Sequence, residues 1–391
     1  MNLKKSIYSS INKFLILVIF LTVNAFANDS KCIIKTQTKQ PKQIAWFAGS
    51  KGTGFWPMVE KLMKAASKDI GVTLEVYYTT DPLEYINNAK KVLDRKENPI
   101  DGIIFHNHKH KGEELLKLAQ SKAIPAMMFN AGFASLDNVG APREKYSCWI
   151  GSMFPDDEKA GYHLAQALLL EAKKHPNMIY ENKIHMVALE GDRASNVSTL
   201  RIKGMEKALI DWERDKSNPK VVLHQSFHSK WRRNLASIAF KLTQSRYPKA
   251  SVFWTAADSM ALGVVDAANE LGKRQGVDFL TGGMDLLPYT FENLENGNLT
   301  ASVGAHYIEG AFAIIALYDY LNGYDFAQVG TTTFNTKMAV KVGKPEQALP
   351  KDDITIQKRL DSIDFSLLSN THNGQNLPYK LDTQAILNKL W

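Results

Sequence analysis

Apolar strand patterns alternate with amphipathic helix patterns along most of this chain, and this alternation limits the possible folds more than any other feature. The first unit begins with the apolar run Gln43–Ala48 and continues into the glycine-containing turn Gly49–Gly54. From Phe55 onward, apolar residues recur at helical spacing on one face. Strands that alternate with helices predict parallel sheets with helices on both faces, so we expect an α/β protein.

The alternation runs through two successive halves of similar plan. Further strands of the first half are predicted at Thr73–Tyr78, Gly102–His106 and Ala126–Phe129. A stretch rich in Gly, Pro and polar residues, 130–146, separates the halves, and the pattern restarts with a strand at Cys148–Ile150. We therefore expect two doubly wound, Rossmann-like lobes with parallel sheets that face each other across a cleft.

These patterns give a domain plan for the chain. Residues 43–146 are predicted to form the N-terminal lobe, which a returning segment at about 306–325 completes. Residues 147–305 are predicted to form the C-terminal lobe, with a second returning segment at about 331–345. Residues 28–42 are a polar leader, and residues 346–391 form a polar C-terminal extension to which the sequence assigns no role.

The first 27 residues have the three parts of a secretory signal. Lysines occupy the start, Phe14–Val23 is almost wholly apolar, and Ala25 and Ala27 place small residues at both specificity positions of a cleavage site. Ten apolar residues are too few to cross a bilayer as a helix. The sequence therefore predicts a cleaved signal peptide and an exported protein.

Charge and cysteine content narrow the possible partners and the redox state. The formal net charge of +8 includes three lysines of the predicted signal, so the mature chain carries +5, scattered along its length. This distribution does not indicate a nucleic-acid partner. Cys32 and Cys148 are the two cysteines of an exported chain, so one disulfide is permitted. Two free thiols remain the alternative, because the sequence does not supply the Cα separation.

A series of motifs between Gln43 and Asn322 occurs in the order found in one known family. The motifs are GTGFWPMVEKLMKAA, DGIIF, AIPAMMFN, CWIGSMFPDDEKAG, RIKGMEKAL, SKWRRNLA, ASVFWTAADSMALGVVDAANELG, GGMD and TASVGAHYIEGAFA. In this set the chain resembles the type I periplasmic binding proteins of the sugar-binding kind, which are not enzymes. It is also similar to the periplasmic quorum-sensing autoinducer receptor. The resemblance implies two lobes joined by three hinge crossovers that close over one small ligand in the periplasm.

The resemblance implies an aromatic clamp on the ligand. Phe55 and Trp56 stand where the family stacks aromatic rings on a sugar, and Trp231 matches the aromatic residue of the other lobe. A sugar face made of C–H groups packs well on a flat π surface. The alternative is that Phe55 and Trp56 pack the first helix onto its sheet and that Trp231 anchors a helix start.

The resemblance also implies polar ligand contacts from both lobes. Asn130 and Asp285 match an amide and a carboxylate that bind sugar hydroxyls, and Arg201 matches an arginine whose donors hold ligand oxygens. His306 lies near the last contact of the family, at a hinge. The competing roles are an exposed salt bridge for Arg201 and, for Asp285, a cap on the helix near Leu287.

Two departures from the pattern of the family leave the ligand open. Ala131 and Ala257 replace polar residues of familiar sugar clamps, and Asp258 is expected to cap its helix. We expect delivery of a sugar-like ligand to an ABC permease, with a sensor that signals through a membrane histidine kinase as the alternative. We expect a monomer. Lac-type repressors share the core, but this chain has a predicted signal peptide where they carry a DNA-reading helix-turn-helix.

Catalytic and metal motifs are weak. The Gly49–Gly54 turn lacks the Gly-Lys-Ser/Thr ending of a phosphate loop, and there is no G-x-S-x-G elbow. His106, His108 and His110 end a predicted strand, but no acidic or cysteine partner accompanies them. We therefore expect no catalytic residues, no cofactor and no metal.

Overall fold

The computed structural model describes residues 32, 41–52, 54–344 and 353–390. The predicted signal peptide, residues 1–27, lies outside the described residues, as does most of the leader. An α/β architecture with two sheets is present, as the alternation predicts.

Six parallel strands form the first sheet. They are β1 (Lys42–Ala48), β2 (Val72–Tyr78), β3 (Gly102–Phe105), β4 (Ala126–Phe129), β5 (Trp149–Pro155) and β12 (Thr333–Thr336). Their order across the sheet is β12-β5-β4-β3-β1-β2. The β1 residues from Ile44 to Ala48 are fully buried, because helices cover both faces of this sheet.

Seven strands form the second sheet. They are β6 (Ile179–Tyr180), β7 (Lys183–Glu190), β8 (Lys220–His228), β9 (Val252–Thr255), β10 (Leu280–Asp285), β11 (Ala301–Gly304) and β13 (Ala339–Val342). Their order is β13-β11-β10-β9-β7-β6, and β8 pairs with β7. The pairs β11–β13 and β6–β7 are antiparallel, while the other pairs are parallel.

Helices cover the two sheets. They are α1 (Phe55–Ile70), α2 (Pro82–Asp94), α3 (Gly112–Ser121), α4 (Asp157–Lys174), α5 (Asn196–Trp212), α6 (Arg233–Arg246), α7 (Asp258–Glu270), α8 (Pro288–Glu295), α9 (Glu309–Leu321), α10 (Asp353–Asp361), α11 (Asn370–Asn373) and α12 (Thr383–Leu390). Helix α2 shows the local chemistry, since Pro82 occupies its first turn and the Asp81 side chain accepts hydrogen bonds from Leu83 and Glu84. In the part of the chain that the structure describes, no helix is long and apolar enough to span a membrane.

The chain passes between the two sheets three times. The crossovers connect β5 to α4, β11 to α9, and β12 to β13. Strand β5 pairs with β4 in the first sheet, so the assignment of the strand near Cys148 to the second lobe was wrong. Strand β5 belongs to the first sheet because the chain crosses to the second lobe only after β5 ends, at Pro155. The segment at about 331–345, which was expected to return to the second lobe, is split between the two sheets. Strand β12 joins the first sheet, and only β13 joins the second.

The C-terminal extension, 353–390, packs on the first lobe. Its apolar side chains are continuous with the core formed by α1 and α9. The carboxylate of Asp319 in α9 is fully buried and accepts four hydrogen bonds from this extension. The donors are the Ser369 and Tyr379 hydroxyls and the backbone N–H groups of Asn370 and Thr371, at 2.6 to 3.0 Å. The extension is therefore an integral part of the first lobe.

A disulfide joins Cys32 to Cys148, with a Cα–Cα distance of 4.8 Å. This resolves the alternatives that the sequence left open in favour of the bridge. Because Cys148 immediately precedes β5, the disulfide attaches Cys32 to the first lobe.

Candidate functional site

Several predicted site residues share an unusual backbone conformation at the ends of strands. Asn130 follows β4, Trp231 follows β8 and Asp285 ends β10, and their φ angles are +64°, +61° and +129°. Ala305, which precedes His306, also has a positive φ of +70°. Non-glycine residues rarely adopt such angles, and they concentrate at functional sites. The carboxyl ends of parallel strands are also where open α/β sheets bind ligands.

The first lobe contributes a wall of rings. The ring centroids of Phe55 and Trp56 are 5.0 Å apart, edge to face, and Trp56 stacks on His106 at 4.7 Å. Phe129 contacts Trp56 edge to face, with ring centroids 6.1 Å apart. Burial lowers the pKa of His106 to about 3, with a smaller contribution from His108, so His106 is a neutral ring. Since Phe55 and Trp56 are only partly buried, this wall retains an accessible apolar surface.

Arg201 organises the charged wall of the second lobe. Its side chain is fully buried and donates from Nε to Asp157 at 2.8 Å and from Nη1 to the carbonyl of Ala256 at 2.6 Å. Its Nη2 bonds His306 Nε2 at 3.2 Å, and Asp285 lies 3.8 Å from Nη1. The alternative of an exposed salt bridge for Arg201 is therefore wrong.

Two close helix contacts position Arg201. A Cβ on Gly161 would lie 1.9 Å from the Arg201 carbonyl oxygen, and a Cβ on Gly204 would lie 1.7 Å from the Glu158 carbonyl oxygen. Helices α4 and α5 can approach this closely only with glycine at both places. The contact brings Arg201 of α5 against Asp157 at the start of α4.

The bond from Arg201 fixes the protonation of His306. An arginine only donates, so His306 Nε2 accepts and its proton is on Nδ1. This Nδ1 is buried, and no group in the described part of the chain bonds it. Burial, together with Arg201, places the pKa of His306 well below its usual range. His306 also lies 4.5 Å from Phe55, ring to ring, so it connects the two walls.

Burial is the largest influence on the pKa values of the two carboxyl groups beside Arg201. It raises the pKa of Asp157 to about 6, although Arg201 opposes the rise. Burial also raises the pKa of Asp285 well above its ordinary value, with Arg201 opposing and the charges of Asp258 and Asp157 adding to it. Asp157 takes a direct bond from Arg201, whereas Asp285 is 3.8 Å away, so Asp285 is the carboxyl group that has the greater capacity for a further hydrogen-bonding partner.

Trp231 completes the second wall. Its indole packs on Gly191, where a Cβ would lie 2.1 Å from the ring, so a larger residue there would displace Trp231. The Arg201 guanidinium carbon lies 5.7 Å from the ring centroid, within the range of a cation–π contact. Trp231 precedes α6, as the helix-start alternative required, and it also lies beside Arg201. The two positions that the sequence offered as alternatives are therefore compatible.

The contacts above join six of the seven predicted ligand residues, and Asn130 is outside this network. Its backbone N–H donates to Met153, and its side chain forms no hydrogen bond, ion pair or ring contact with the described residues. Asn130 directly follows Phe129, whose ring contacts Trp56, so Asn130 is next in the chain to a residue of the ring wall.

Neither the helix cap expected of Asp258 nor the alternative cap by Asp285 forms. Ala257 is the N-cap residue of α7, whereas Asp258 accepts from the Leu286 backbone N–H at 2.8 Å and the Thr290 hydroxyl at 2.7 Å. The expectation that Asp258 caps its helix was wrong, because its buried carboxylate instead fixes the loop after Asp285. Helix α8 has no side-chain cap bond at Leu287, so a capping role for Asp285 is also absent there.

The histidine cluster shows packing rather than metal geometry. His106 and His108 have ring centroids 5.5 Å apart, and His110 is exposed. The described residues contain no group of three or more His, Cys, Asp or Glu that could hold a metal ion. Asn107 donates to the carbonyl of Gly132 and accepts from the Gly112 N–H, so it fixes the loop before α3.

Sequence reasoning missed Asp157 and the stacking role of His106. Asp156 and Asp157 are adjacent acids at the start of α4, and only Asp156 acts as a cap, by accepting from the Lys159 N–H. The second adjacent acid was the available signal, because one cap does not require two carboxylates.

Comparison with known proteins identifies the class of protein to which this fold belongs. The model of the periplasmic binding protein domain family matches residues 44–325, and the chain belongs to this family. It is similar to the galactofuranose-binding protein YtfQ of Escherichia coli (strain K12). The two sequences are 23% identical over 253 residues, which cover 63% of this chain and 72% of YtfQ.

Solved structures show the same fold. A periplasmic sugar-binding protein from Pseudomonas fluorescens is similar with a TM-score of 0.75 and 27% identity, over 88% of this chain and 99% of that protein. The binding protein of an arabinose ABC transporter from Shewanella sp. ANA-3, in complex with L-arabinofuranose, has a TM-score of 0.63 and 19% identity. That match covers 77% of this chain and 92% of the Shewanella protein.

Proposed function

We propose that this protein captures a small, polyhydroxylated, sugar-like ligand between its lobes and delivers it to an ABC permease. The observation that carries the proposal is the pairing of two unlike walls, connected by the contact between His306 and Phe55. A sugar has apolar C–H faces and a polar edge, so one wall suits its face and the other suits its hydroxyls. The sugar ligands named for similar proteins support the same class.

The charge of the site favours a neutral ligand. The Arg201 charge is opposed directly by Asp157 at its Nε, and Asp285 lies 3.8 Å from its Nη1. An anionic ligand would meet these carboxyl groups, whereas hydroxyl groups can donate to Asp285 and accept from His306 Nδ1. Neutral sugars and polyols are therefore the ligands we propose, ahead of sugar phosphates and sugar acids.

Closure is the expected response to the ligand. A ligand held by Trp56 on one side and Asp285 on the other contacts both lobes, so it stabilises the arrangement in which they are close. We propose that a monomer in the periplasm, exported by a cleaved signal peptide, presents this closed form to the membrane partner.

A thermal-shift screen over furanoses, pyranoses and polyols tests the ligand class. A ligand at 100 times its Kd should stabilise the protein by about 2.7 kcal/mol, which is readily measured as a rise in Tm. Sugar acids and sugar phosphates are the matched negative set. A Tm rise with the anionic set alone would contradict the neutral-ligand proposal, and no rise with any compound would remove the main support for solute capture.

A second experiment separates transport from signalling. An adjacent permease and ATPase in the genome, together with ligand-dependent stimulation of that ATPase by the purified protein, is the expected result. Ligand-dependent control of a histidine kinase, with no effect on an ATPase, would favour the sensor.

A further inference from the structure

One hydrogen bond joins the two lobes directly and is separate from the contacts of the ring wall and the charged wall. The side-chain amide of Asn196, the first residue of α5, donates from Nδ2 to the backbone carbonyl of Phe133 at 3.2 Å. Phe133 lies between β4 and β5 of the first sheet, whereas α5 lies between β7 and β8 of the second. The donor and the acceptor move with different lobes, so the bond forms only when the lobes are close.

The first lobe holds the acceptor in place. The backbone N–H of Asn107 donates to the Ala131 carbonyl at 2.9 Å, and its side chain donates to the Gly132 carbonyl at 3.3 Å. The ring of Phe133 packs edge to face on Trp149 of β5, with ring centroids 5.6 Å apart. All of these contacts lie within the first lobe and none involves a ligand, so they position the Phe133 carbonyl in the ligand-free protein as well.

The second lobe holds the donor in a similar way. Asp192 closes the turn before α5, because its carboxylate accepts from the Ala194 backbone N–H and its carbonyl accepts from the Ser195 backbone N–H, both at 3.0 Å. The Asn196 side chain forms no other hydrogen bond with the described residues. The bond to Phe133 is therefore the one role that the described contacts give to the Asn196 amide.

A second contact between the lobes lies on the opposite face of the first sheet. Gly54, just before α1, has a φ of +117°, and a Cβ there would lie 2.9 Å from Leu287 Cδ1 and 3.4 Å from the Tyr289 hydroxyl of the second lobe. Helix α1 belongs to one core of the first lobe, while Phe133 packs on the core formed by α2 and α3. Alternate side chains of β1 belong to these two cores, which places the cores on opposite faces of the sheet. The lobes therefore meet on both faces.

We propose that Asn196 is a positioning residue for ligand capture, which holds the lobes together in part of the ligand-free molecules by bonding Phe133. Lobes that are together before capture present both walls to the ligand at once, so the bond raises affinity without a contact between Asn196 and the ligand. A hydrogen bond of ordinary net strength changes the ratio of closed to open molecules by about 2- to 12-fold. The proposal is independent of which ligand the lobes capture.

The test compares wild type with Asn196→Asp in the absence of ligand. The substitution keeps the size of the side chain and is favourable in the first turn of a helix, but it removes the N–H donor and places a carboxylate against the Phe133 carbonyl. Small-angle X-ray scattering measures the radius of gyration, which we expect to be larger in the variant. Asn373→Ala is the matched control, because the Asn373 amide donates to the Leu367 carbonyl at 3.0 Å within the first lobe. This control should leave the radius of gyration unchanged.

A ligand found in the thermal-shift screen provides a second measurement. Release of the ligand requires the lobes to separate, so the dissociation rate should rise by about 2- to 12-fold in Asn196→Asp. At saturating ligand the radius of gyration of the variant should return to the wild-type value, because contacts of the ligand with both walls then hold the lobes together.

Three results would overturn the proposal. Equal radii of gyration for ligand-free wild type and Asn196→Asp would mean that the bond does not hold the lobes without a ligand. A larger radius that persists at saturating ligand would mean that the substitution damages the fold. A dissociation rate equal to that of wild type would remove the role in capture. The scattering of the ligand-free protein uses no ligand, so a screen without a hit would contradict the proposed function and would not affect this comparison.

Discussion

The wall of the first lobe is built from rings, whereas the wall of the second lobe is built from charges that are bonded to one another. Trp56 rests on neutral His106, and its contacts are stacking contacts with little directional demand. Arg201 instead contacts Asp157, the Ala256 carbonyl and His306 at once, so removing it leaves several buried groups without a partner. We therefore expect the first wall to tolerate changes of side-chain shape and the second wall to tolerate very few substitutions.

The largest effect is expected for Arg201→Ala in the charged wall. The change leaves the buried Asp157 carboxyl and His306 Nε2 without their donor, and breaking a buried ion pair costs about 3–5 kcal/mol. Chemical denaturation measures the loss. Arg233→Ala is the matched control, because its pair with Asp266 is exposed and such pairs contribute about 0–1 kcal/mol. Equal losses in the two variants would remove the contrast between the walls.

The next largest loss of stability is expected for a substitution at the contact between the C-terminal extension and α9 of the first lobe. Asp319→Asn replaces a buried carboxylate that accepts four hydrogen bonds with an amide that has one acceptor oxygen, so we expect a loss of about 2–4 kcal/mol. Asp361→Asn, an exposed change in the same extension, should have little effect. The free energy of unfolding is the measurement. If Asp319→Asn were as mild as its control, the extension would not be a structural part of the first lobe.

Trp56→Ala tests the ring wall directly. Loss of one stacking face should weaken binding of a ligand from the screen by about 10-fold or more, while the fold persists because the indole is only partly buried. Isothermal titration calorimetry measures the affinity. Trp56→Phe keeps a ring on His106 and should retain most of the binding. Unchanged affinity in Trp56→Ala would place the ligand away from this wall.

The same contrast decides how much of the molecule could be predicted from the sequence. The strands and the aromatic residues of the ring wall could be predicted, because apolar periodicity and paired aromatics are local sequence signals. The α/β fold with two lobes was predicted on that basis. Strand β5 was assigned to the wrong lobe because its partners, β4 and β12, are chosen by a crossover that no local pattern marks. The charged wall was only partly readable, since the role of Asp157 depends on Arg201, 44 residues later in the chain.

The smallest effect, and the most specific to the charged wall, is the pH dependence at Asp285. Burial raises the pKa of this carboxyl, so its contribution to stability is greatest at low pH and is lost as the pH rises above its ordinary value of 3.8 and through the raised value. Asp285→Asn cannot ionise, so at pH 8 the free energy of unfolding of this variant should be equal to that of wild type or higher by up to about 2 kcal/mol. This difference between variant and wild type should become smaller toward pH 4. Asp266→Asn, at an exposed site, should show no such trend, and a gap for Asp285→Asn that is constant with pH would mean that Asp285 keeps one protonation state over this range. Weaker ligand binding by Asp285→Asn at equal or higher protein stability would show that Asp285 serves ligand recognition. The carboxyl group would then contribute to affinity and not to the free energy of unfolding.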